Sequence, residues 1–401
     1  MPIMKNYILL LKKEYILRRL STIQLISYFG AWFSNVAIYT LLIKMGVSES
    51  VIALVAALHF FPGVLQAPIS GAIIDRFSPK KLMLLLLGVE IIATLFLLNV
   101  QDTAMLWLLY ILVFFRMAAA SFYFTAEMSL LPRILEHSLL KPANEIHSMI
   151  WSFSYTFGMA ISGYVVYILG VQIAFLLDAA LFTIGFWLLL SMKIEVEQVE
   201  QEGSLLKMMH KSLVYLKENK MILHLMLVHS LVGLTSFDAI VAMMVDSYYT
   251  PAVAAALALG LMHSFRAIGL VIGPLFLGRW INDKRLYYLF ILQGSAILIW
   301  SFSMHYFYLS LAASILVGLF TTTLWSYSYT LIQHKTDKKY YGRIVAYNDM
   351  IFLSVATLTS FLTGELAKIG VALPTILVLM AGGFFLSSFY YLWIYKRFLR
   401  S

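Results

Sequence analysis

Residues 82–115 read LMLLLLGVEIIATLFLLNVQDTAMLWLLYILVFF, and only Glu90 and Asp102 in this stretch carry a charge. Asp102 separates an apolar run over residues 82–101 from a second one that begins at residue 103 and continues beyond residue 115. A helix needs roughly 20 such residues to cross the hydrocarbon core of a bilayer. Neither run alternates apolar with polar residues, as the strands of a membrane barrel do. The stretch therefore predicts two membrane-spanning helices joined by a short turn.

The composition of the whole chain agrees with this prediction. Of its 401 residues, 61% are hydrophobic and only 12% are charged, whereas soluble proteins have about 25% charged residues. A soluble chain this apolar would lack the polar groups needed to cover its surface, which argues against a cytosolic or secreted enzyme. The chain has no cysteine, so disulfides, thiolate metal sites and cysteine nucleophiles are excluded.

Apolar windows of about 20 residues predict twelve spans, and the basic residues support this number. All Lys and Arg residues except Lys44, Arg116, Arg266 and Lys368 lie at the two ends of the chain or in every second connection between spans. The positive-inside rule then places both termini in the cytoplasm, for a multi-pass protein of the inner membrane. Because topology accounts for the net charge of +9, the lipid bilayer is the expected partner and nucleic acid is not.

One long polar stretch, residues 193–219, divides the spans into two groups of six. Its second part, Leu205–Leu216, has the pattern of an amphipathic helix whose lysines are available to anionic headgroups. We therefore predict an N-terminal six-helix bundle over residues 1–192, beginning with a cytoplasmic lead-in. A cytoplasmic linker follows over residues 193–219, and a C-terminal six-helix bundle over residues 220–401.

The two predicted halves resemble each other in sequence. GAIIDRFSPKK at Gly71–Lys81 follows the second span, and GRWINDKR at Gly278–Arg285 follows the eighth, which is the same place in the second half. Gly158 in the fifth span and Gly364 in the eleventh lie at nearly the same offset. A duplicated six-span unit with its binding site between the halves is typical of secondary transporters.

The stretch Gly71–Lys81 resembles the signature loop of the major facilitator superfamily. Asp75, Arg76 and Lys80 match the loop, while Ser78 stands where a glycine is usual. The resemblance implies an all-α polytopic fold of twelve transmembrane helices in two pseudo-symmetric six-helix halves. A carboxylate at Asp75 is favoured at the N-terminus of a facing helix, and Arg76 and Lys80 can pair with acids, so we interpret Gly71, Asp75, Arg76 and Lys80 as a gate motif. The alternative is that these cations only set the topology.

Further motifs resemble the macrolide-efflux and enterobactin-exporter-like branch of drug:proton antiporters. They are LLPRI at residues 130–134, KPAN at 141–144, Gly158 with Gly163, and Gln333 followed by GRIVA at 342–346. Antiporters of the superfamily normally have Gly-Pro in the fifth span, and here Met159 follows Gly158. This resemblance implies export of a drug-like or siderophore-like molecule in exchange for protons.

Charged residues inside predicted spans need a partner or a function, because a charge in the bilayer costs at least ~2.5–3.5 kcal/mol. Glu90 and Arg116 come from antiparallel neighbouring spans, so we expect them to pair near mid-membrane, either as a static contact or as a proton-coupling pair. Arg266 is the expected partner of Asp238, and we place Glu127 at the solvated end of the fourth span. The candidate proton-coupling or substrate residues are Glu90, Arg116, Asp178, Asp238, Arg266 and Asp349.

Aromatic residues form the candidate lining of a substrate cavity. Trp151 and Tyr155 lie in the fifth span, and Trp325 and Tyr329 lie in the tenth, where flat rings would suit a bulky amphipathic ligand. The alternative is that they face lipid. No pair of histidines has the helical spacing of a metal site with a carboxylate, so no metal is expected, and no cofactor motif is present.

Together these patterns predict a proton-coupled secondary transporter, acting as a monomer, that exports a small amphipathic molecule by alternating access. No phosphate-binding loop or hydrolase motif occurs, so the chain is not expected to be an enzyme. The alternatives are a metal-ion exporter or a solute importer of the same fold, and, with less support, a membrane-embedded enzyme such as an acyltransferase. Small molecule, protons and lipid are the expected partners.

Overall fold

The computed structural model describes residues 2–194, 213–337 and 340–400, with side chains at all of these except 2–6, 71–72, 75–76, 137–138, 141 and 341–342. This part of the chain is almost entirely helical and contains no β-strand. The prediction of an all-α fold is confirmed.

Twelve segments of the described chain are long and apolar enough to cross a membrane, which is the predicted number. Each such helix satisfies its own backbone hydrogen bonds, as the bilayer requires. Spans 1 to 12 are Tyr15–Lys44, Glu49–Ser70, Pro79–Asn99, Thr103–Ile134, Pro142–Leu169, Val171–Ser191, Lys220–Tyr249, Ala255–Leu277, Leu286–Ser303, Phe307–Lys335, Arg343–Lys368 and Leu373–Leu399.

The α-helices that form the spans do not always share their bounds. Span 2 contains the helix Glu49–Leu58 and most of Phe61–Arg76, while span 7 contains Lys220–Ser230 and Asp238–Met244. The lead-in forms a helix of its own, Pro2–Lys13. The remaining bounds that differ are Pro79–Phe96 in span 3, Leu106–Ile134 in span 4, His137–Leu169 in span 5, Tyr341–Lys368 in span 11 and Leu373–Ile394 in span 12.

The chain forms two compact units. The first comprises Met1–Met45 and Ile69–Gln201, in which span 1 packs against spans 5 and 6, and span 3 packs against spans 4 and 6. An apolar cluster joins the lead-in helix to these spans. Its buried members include Leu10, Leu17, Leu20, Met83, Leu87, Phe122, Ala126, Leu130, Leu131, Ile146 and Leu189.

The second unit comprises Gly46–Pro68 and Glu202–Ser401. Span 8 packs against span 10, span 9 against spans 10 and 12, and the first helix of span 2 against span 11. The segment Gly46–Pro68 thus groups with the second unit, although its sequence position lies within the predicted first bundle. The division into bundles at residues 1–192 and 220–401 stays a prediction.

The predicted amphipathic helix Leu205–Leu216 lies for the most part outside the described residues. Residues 213–218, at its end, are helical. There the Tyr215 ring stacks on the Tyr340 ring, with centroids 4.2 Å apart, and the Tyr215 hydroxyl accepts a hydrogen bond from the Asp337 backbone N–H at 3.1 Å. The end of the linker is therefore held against the connection between spans 10 and 11.

Candidate functional site

An ion pair lies buried in the first unit. Nη2 of Arg116, in span 4, is 2.7 Å from Oδ2 of Asp178, in span 6, and the two side chains are 4% and 0% exposed. The hydroxyl of Ser34, in span 1, donates to the same carboxylate oxygen, and Arg116 also donates to the Ala31 carbonyl at 3.5 Å. Three spans thus contribute to one charged group, which lowers the cost of holding each charge away from water.

A glycine allows this close approach of spans 1 and 6. A Cβ atom on Gly30 would lie 2.8 Å from Oδ1 of Asp178 and 3.1 Å from Cβ of Leu181, so any larger residue would push the two helices apart. Neither Gly30 nor Ser34 was singled out from the sequence. Small and hydroxyl residues are common at contacts between membrane helices, and only the packing shows which of them meet a charge.

Glu90 lies beside this ion pair rather than in it. It is 4% exposed in span 3, and both Arg116 and Asp178 are close enough to interact with it electrostatically. The expected pair of Glu90 with Arg116 is wrong, because the arginine is bound to Asp178. Antiparallel neighbours can meet at mid-membrane, but the rotation of each helix about its axis decides which residue does. The coupling role of Glu90 stays a prediction.

Glu127 is buried, contrary to the expectation of a solvated helix end. Its side chain is 2% exposed, and its Oε2 atom has no hydrogen-bond partner in the described chain. The helix Leu106–Ile134 continues for two turns beyond Glu127, and Leu130 and Leu131 in those turns belong to the apolar cluster. This burial was not detectable from the position of Glu127 near the end of an apolar window.

A second charged group occupies the second unit. Oδ1 of Asp238, in span 7, lies 3.7 Å from Nε2 of His263, in span 8, with the two side chains 22% and 2% exposed. One turn further along span 8, the Arg266 guanidinium lies over the Phe237 ring, 5.3 Å from its centroid, in a cation–π contact. Asp238, His263 and Arg266 therefore form one neighbourhood, in which the Asp238 carboxylate lies close to the His263 ring.

Span 7 is interrupted where this group forms. The helix Lys220–Ser230 tightens into a 3₁₀ turn at Leu231–Thr235, and Ser236 leaves the helical conformation, with ψ at 82°, before Asp238–Met244 resumes it. Gly233 packs so closely on span 11 that a Cβ atom there would lie 2.9 Å from the backbone of Phe352 and Ala356. Interrupted helices are typical of transporter binding sites, and the apolar pattern of span 7 did not indicate the interruption.

The other candidate residues are placed as follows. Asp349 is partly exposed and accepts a hydrogen bond of 3.4 Å from its neighbour Asn348. Trp151 stacks on Tyr155, with centroids 5.2 Å apart, and the Trp32 ring packs on the same tyrosine at 4.7 Å.

Trp325 and Tyr329 form a second stack, with centroids 5.0 Å apart. It packs on His229, whose ring lies 5.6 Å from Trp325 and 5.4 Å from Tyr329. Each unit thus has its own aromatic group.

Lys80 is the member of the gate motif whose side chain is described. Its ammonium donates to the carbonyls of Leu190 at 2.8 Å and Met192 at 2.5 Å, at the C-terminus of span 6, where a cation is favoured by the helix dipole. In this conformation Lys80 therefore contacts carbonyl oxygens, and its role in a gate stays a prediction. Gly71, Asp75 and Arg76 belong to the helix Phe61–Arg76, and their surroundings lie outside the described part.

The counterpart of this loop in the second half is also anchored. The Tyr327 hydroxyl donates to the Asp283 carboxylate at 2.5 Å, and the Tyr391 hydroxyl donates to the Asp283 carbonyl at 2.8 Å.

In the described chain, no three His, Asp or Glu residues are grouped so that they could hold a metal ion. Carboxylate, arginine and aromatic side chains are therefore the chemistry that the candidate residues offer.

Comparison with known proteins connects the chain to transporters. A sequence model described as "Major Facilitator Superfamily" matches residues 20–251. The chain is 27% identical over 187 residues to YkuC and 26% identical over 160 residues to YfiS, both named as uncharacterized MFS-type transporters of Bacillus subtilis (strain 168). The two alignments cover 46% and 40% of this chain and 44% and 38% of those proteins, so the chain matches less than half the length of either.

Solved structures match the fold over nearly the whole chain. The nucleoside transporter NupG matches with a TM-score of 0.72 at 12% identity, covering 95% of this chain and 98% of that one. A bacterial homologue of the lysosomal transporter Spinster matches with 0.74 at 13%, covering 96% and 97%. A bacterial homologue of the iron transporter ferroportin matches with 0.72 at 14%, covering 95% and 98%. At these identities the likeness concerns the fold alone.

Proposed function

The chain belongs to the Major Facilitator Superfamily, and from this premise we propose that it is a proton-coupled secondary transporter that exports a small amphipathic molecule by alternating access. The family and the fold support a multi-pass membrane transporter and point away from an enzyme. The observation that carries the proposal further is the buried group of Arg116, Asp178 and Ser34 with Glu90 beside it.

The charges of this group favour protons as the coupling ion. Arg116 and Asp178 neutralise each other, so an ionised Glu90 would add an uncompensated negative charge inside the membrane, where a charge is costly. A protonated Glu90 carries no such cost. Uptake of one proton therefore switches this part of the first unit between two charge states.

Exchange of the arginine's partner can link that switch to a change of conformation. While Glu90 is protonated, Asp178 holds Arg116; when Glu90 ionises, its charge competes with Asp178 for the same guanidinium. Because the two acids belong to spans 3 and 6, a transfer of Arg116 between them changes which helices span 4 holds. A proton can favour one conformation of a transporter only if its binding differs between the two conformations, and this exchange of partners provides such a difference.

The aromatic groups support an amphipathic substrate. The stack of Trp151 and Tyr155 and the stack of Trp325 and Tyr329 offer flat apolar surfaces, and Trp151 and Trp325 are each 39% exposed. Aromatic faces bind planar rings and organic cations. The resemblance to the efflux branch favours export, whereas import of a solute or export of a metal ion is the alternative.

A proteoliposome experiment tests coupling and direction together. Ethidium is the probe for an amphipathic aromatic cation, and Fe²⁺ is the probe for a metal. With an acidic lumen, proton exit should drive ethidium into the vesicles against its gradient, and Fe²⁺ should not accumulate. Ethidium accumulation only with an alkaline lumen would indicate symport, and accumulation of Fe²⁺ alone would favour the metal-ion alternative.

Glu90→Gln identifies the coupling residue in the same assay. Glutamine has the shape of a protonated glutamic acid and cannot ionise, so we expect uphill ethidium transport to stop while downhill exchange and ethidium binding remain. Glu136→Gln, at an exposed position, is the matched control and should behave as the unaltered protein. Normal uphill transport by Glu90→Gln would contradict the role of Glu90.

A further inference from the structure

Among the described side chains, the acids buried in the spans of the first unit outnumber the buried cations. Glu90, Glu127 and Asp178 are each at most 4% exposed, and Arg116 is 3% exposed. Arg116 is paired with Asp178, while Glu90 and Glu127 have no ion pair with any described residue. Two carboxyls therefore lack a compensating charge, and the proposed function uses only one of them.

Glu127 shares one face of span 4 with the charged group. Arg116, Tyr123 and Glu127 are spaced seven and four residues apart, which places them on one side of a helix. All three are buried, at 3%, 5% and 2% exposure. At about 1.5 Å per residue, Arg116 and Glu127 lie about 16 Å apart along the axis, with Tyr123 between them.

Three polar atoms on this face have no hydrogen-bond partner in the described chain: Nε of Arg116, the Tyr123 hydroxyl and Oε2 of Glu127. Buried polar groups are normally satisfied, so orphaned ones need an explanation. Glu127 and Glu90 both interact electrostatically with the Tyr123 hydroxyl, and both also interact with Tyr28 of span 1. The tyrosines therefore connect the surroundings of the two unpaired carboxyls.

Among the described side chains, no cation forms an ion pair with Glu127 that would hold it ionised. Besides Tyr28, Tyr123 and Glu90, a further titratable side chain in this part of the described chain is His147 of span 5, which packs on Tyr28. Its ring packs on Phe124 at 5.3 Å and on Tyr28 at 6.1 Å, and its backbone carbonyl accepts a hydrogen bond from Gln24 at 3.3 Å. Beyond Glu127 towards the end of span 4 lies the apolar cluster, which separates it from water.

We propose that Glu127 is a second proton-binding carboxyl of the first unit, and that the Tyr123 hydroxyl passes protons between Glu127 and Glu90. A hydroxyl can accept one hydrogen bond while it donates another. In a conformation that brings the Tyr123 hydroxyl within hydrogen-bond distance of both acids, a proton leaves the Glu127 carboxyl for the Tyr123 oxygen while the tyrosine's own proton moves to the Glu90 carboxylate. The tyrosine is neutral before and after. No electron is transferred.

The position of the apolar cluster indicates from which side of the membrane protons reach this second site. Glu127 lies toward the end of span 4 that meets the lead-in helix, which the positive-inside rule assigns to the cytoplasm. Water reaches Glu127 only when the residues of the cluster move apart. Glu127 then exchanges protons with the cytoplasm, and Glu90 exchanges protons with Glu127 inside the unit. Two unpaired carboxyls allow two protons per transport cycle.

Infrared difference spectroscopy tests the site without a substrate. The purified full-length protein is changed from acidic to alkaline buffer, and the C=O stretch of protonated carboxyls is recorded. The unaltered protein should lose two components of this band. Glu127→Gln and Glu90→Gln should each remove one component, and Glu136→Gln should remove neither. An unchanged band in Glu127→Gln would overturn the proposal.

Tyr123→Phe tests the relay by a rate. Both components should remain, because both carboxyls are present. After a rapid pH change, however, the Glu90 component should respond at least about tenfold more slowly. Proton transfer by a positioned side chain typically raises a reaction rate at least about a hundredfold. An unchanged rate would exclude Tyr123 from the path.

The role of Glu127 in transport rests on the proposed function, whereas proton binding by Glu127 does not. The two proposals can therefore fail separately. If ethidium transport proves independent of the pH gradient while Glu127→Gln still removes its infrared component, the proposed coupling fails and the proton site stands. If transport is proton-coupled and Glu127→Gln leaves the band unchanged, the second site fails and the coupling stands.

Discussion

At the scale of single residues, the partner of a buried charge decides what its removal costs. Arg116→Met leaves Asp178 in the membrane without its cation, and breaking a buried ion pair costs about 3–5 kcal/mol. We expect a large drop in the melting temperature of the detergent-purified protein. Arg116→Met with Asp178→Asn removes both charges and should recover much of that loss.

The comparison of these two variants distinguishes an ion pair from two independent residues. If Arg116 and Asp178 stabilise the unit separately, their substitutions should add in the melting temperature. Additive losses would contradict the pairing, whereas recovery in the double variant supports it. Glu90→Gln in place of Asp178→Asn serves as the control, because Glu90 is not the bound partner of the arginine and should give no such recovery.

At the scale of elements, glycines determine how closely two spans approach. Gly269 of span 8 packs against the backbone of Ile315 to Leu319 in span 10, and Gly273 packs against the backbone of Leu319. A Cβ atom at either glycine would overlap the backbone of span 10. Gly273→Ala should therefore destabilise the second unit by about 1–3 kcal/mol, the usual cost of overpacking. A thermal melt of the detergent-purified protein measures it.

Gly382 of span 12 offers a matched control for that substitution. A Cβ atom at Gly382 would meet no other atom within 4 Å, so Gly382→Ala adds a methyl group in open space and should leave the melting temperature unchanged or slightly raised. Equal effects of the two alanines would mean that glycine matters in these helices for backbone freedom and not for close packing.

At the scale of the whole molecule, the absence of cysteine makes the predicted topology directly measurable. Single cysteines can be placed at two exposed positions: Ser48→Cys lies between spans 1 and 2, and Glu136→Cys lies between spans 4 and 5. The predicted topology puts these two connections on opposite sides of the membrane, so the two cysteines should be labelled from opposite sides. A membrane-impermeant maleimide added to intact cells should modify Ser48→Cys alone, because the basic residues near Glu136 hold that connection in the cytoplasm. Labelling of Glu136→Cys alone would reverse the orientation.

The amino-acid sequence alone determined the class of protein and the number of spans. Hydropathy works for this purpose because each helix in a bilayer must be apolar along its own length and must satisfy its own backbone, which is a property of local sequence. The same reasoning found the charged residues Glu90, Arg116, Asp178, Asp238 and Arg266 inside the spans. The family motif around Asp75 added the fold.

Only the tertiary structure decided which of those residues meet. Arg116 pairs with Asp178 and not with Glu90, Asp238 meets His263, and Glu127 is buried. These outcomes depend on the rotation of each helix and on how closely its neighbours approach, as Gly30 shows beside Asp178. The interruption of span 7, where Gly233 packs against span 11, was likewise visible only in the tertiary structure. Such contacts join residues far apart in the chain, and a pattern read along one helix does not contain them.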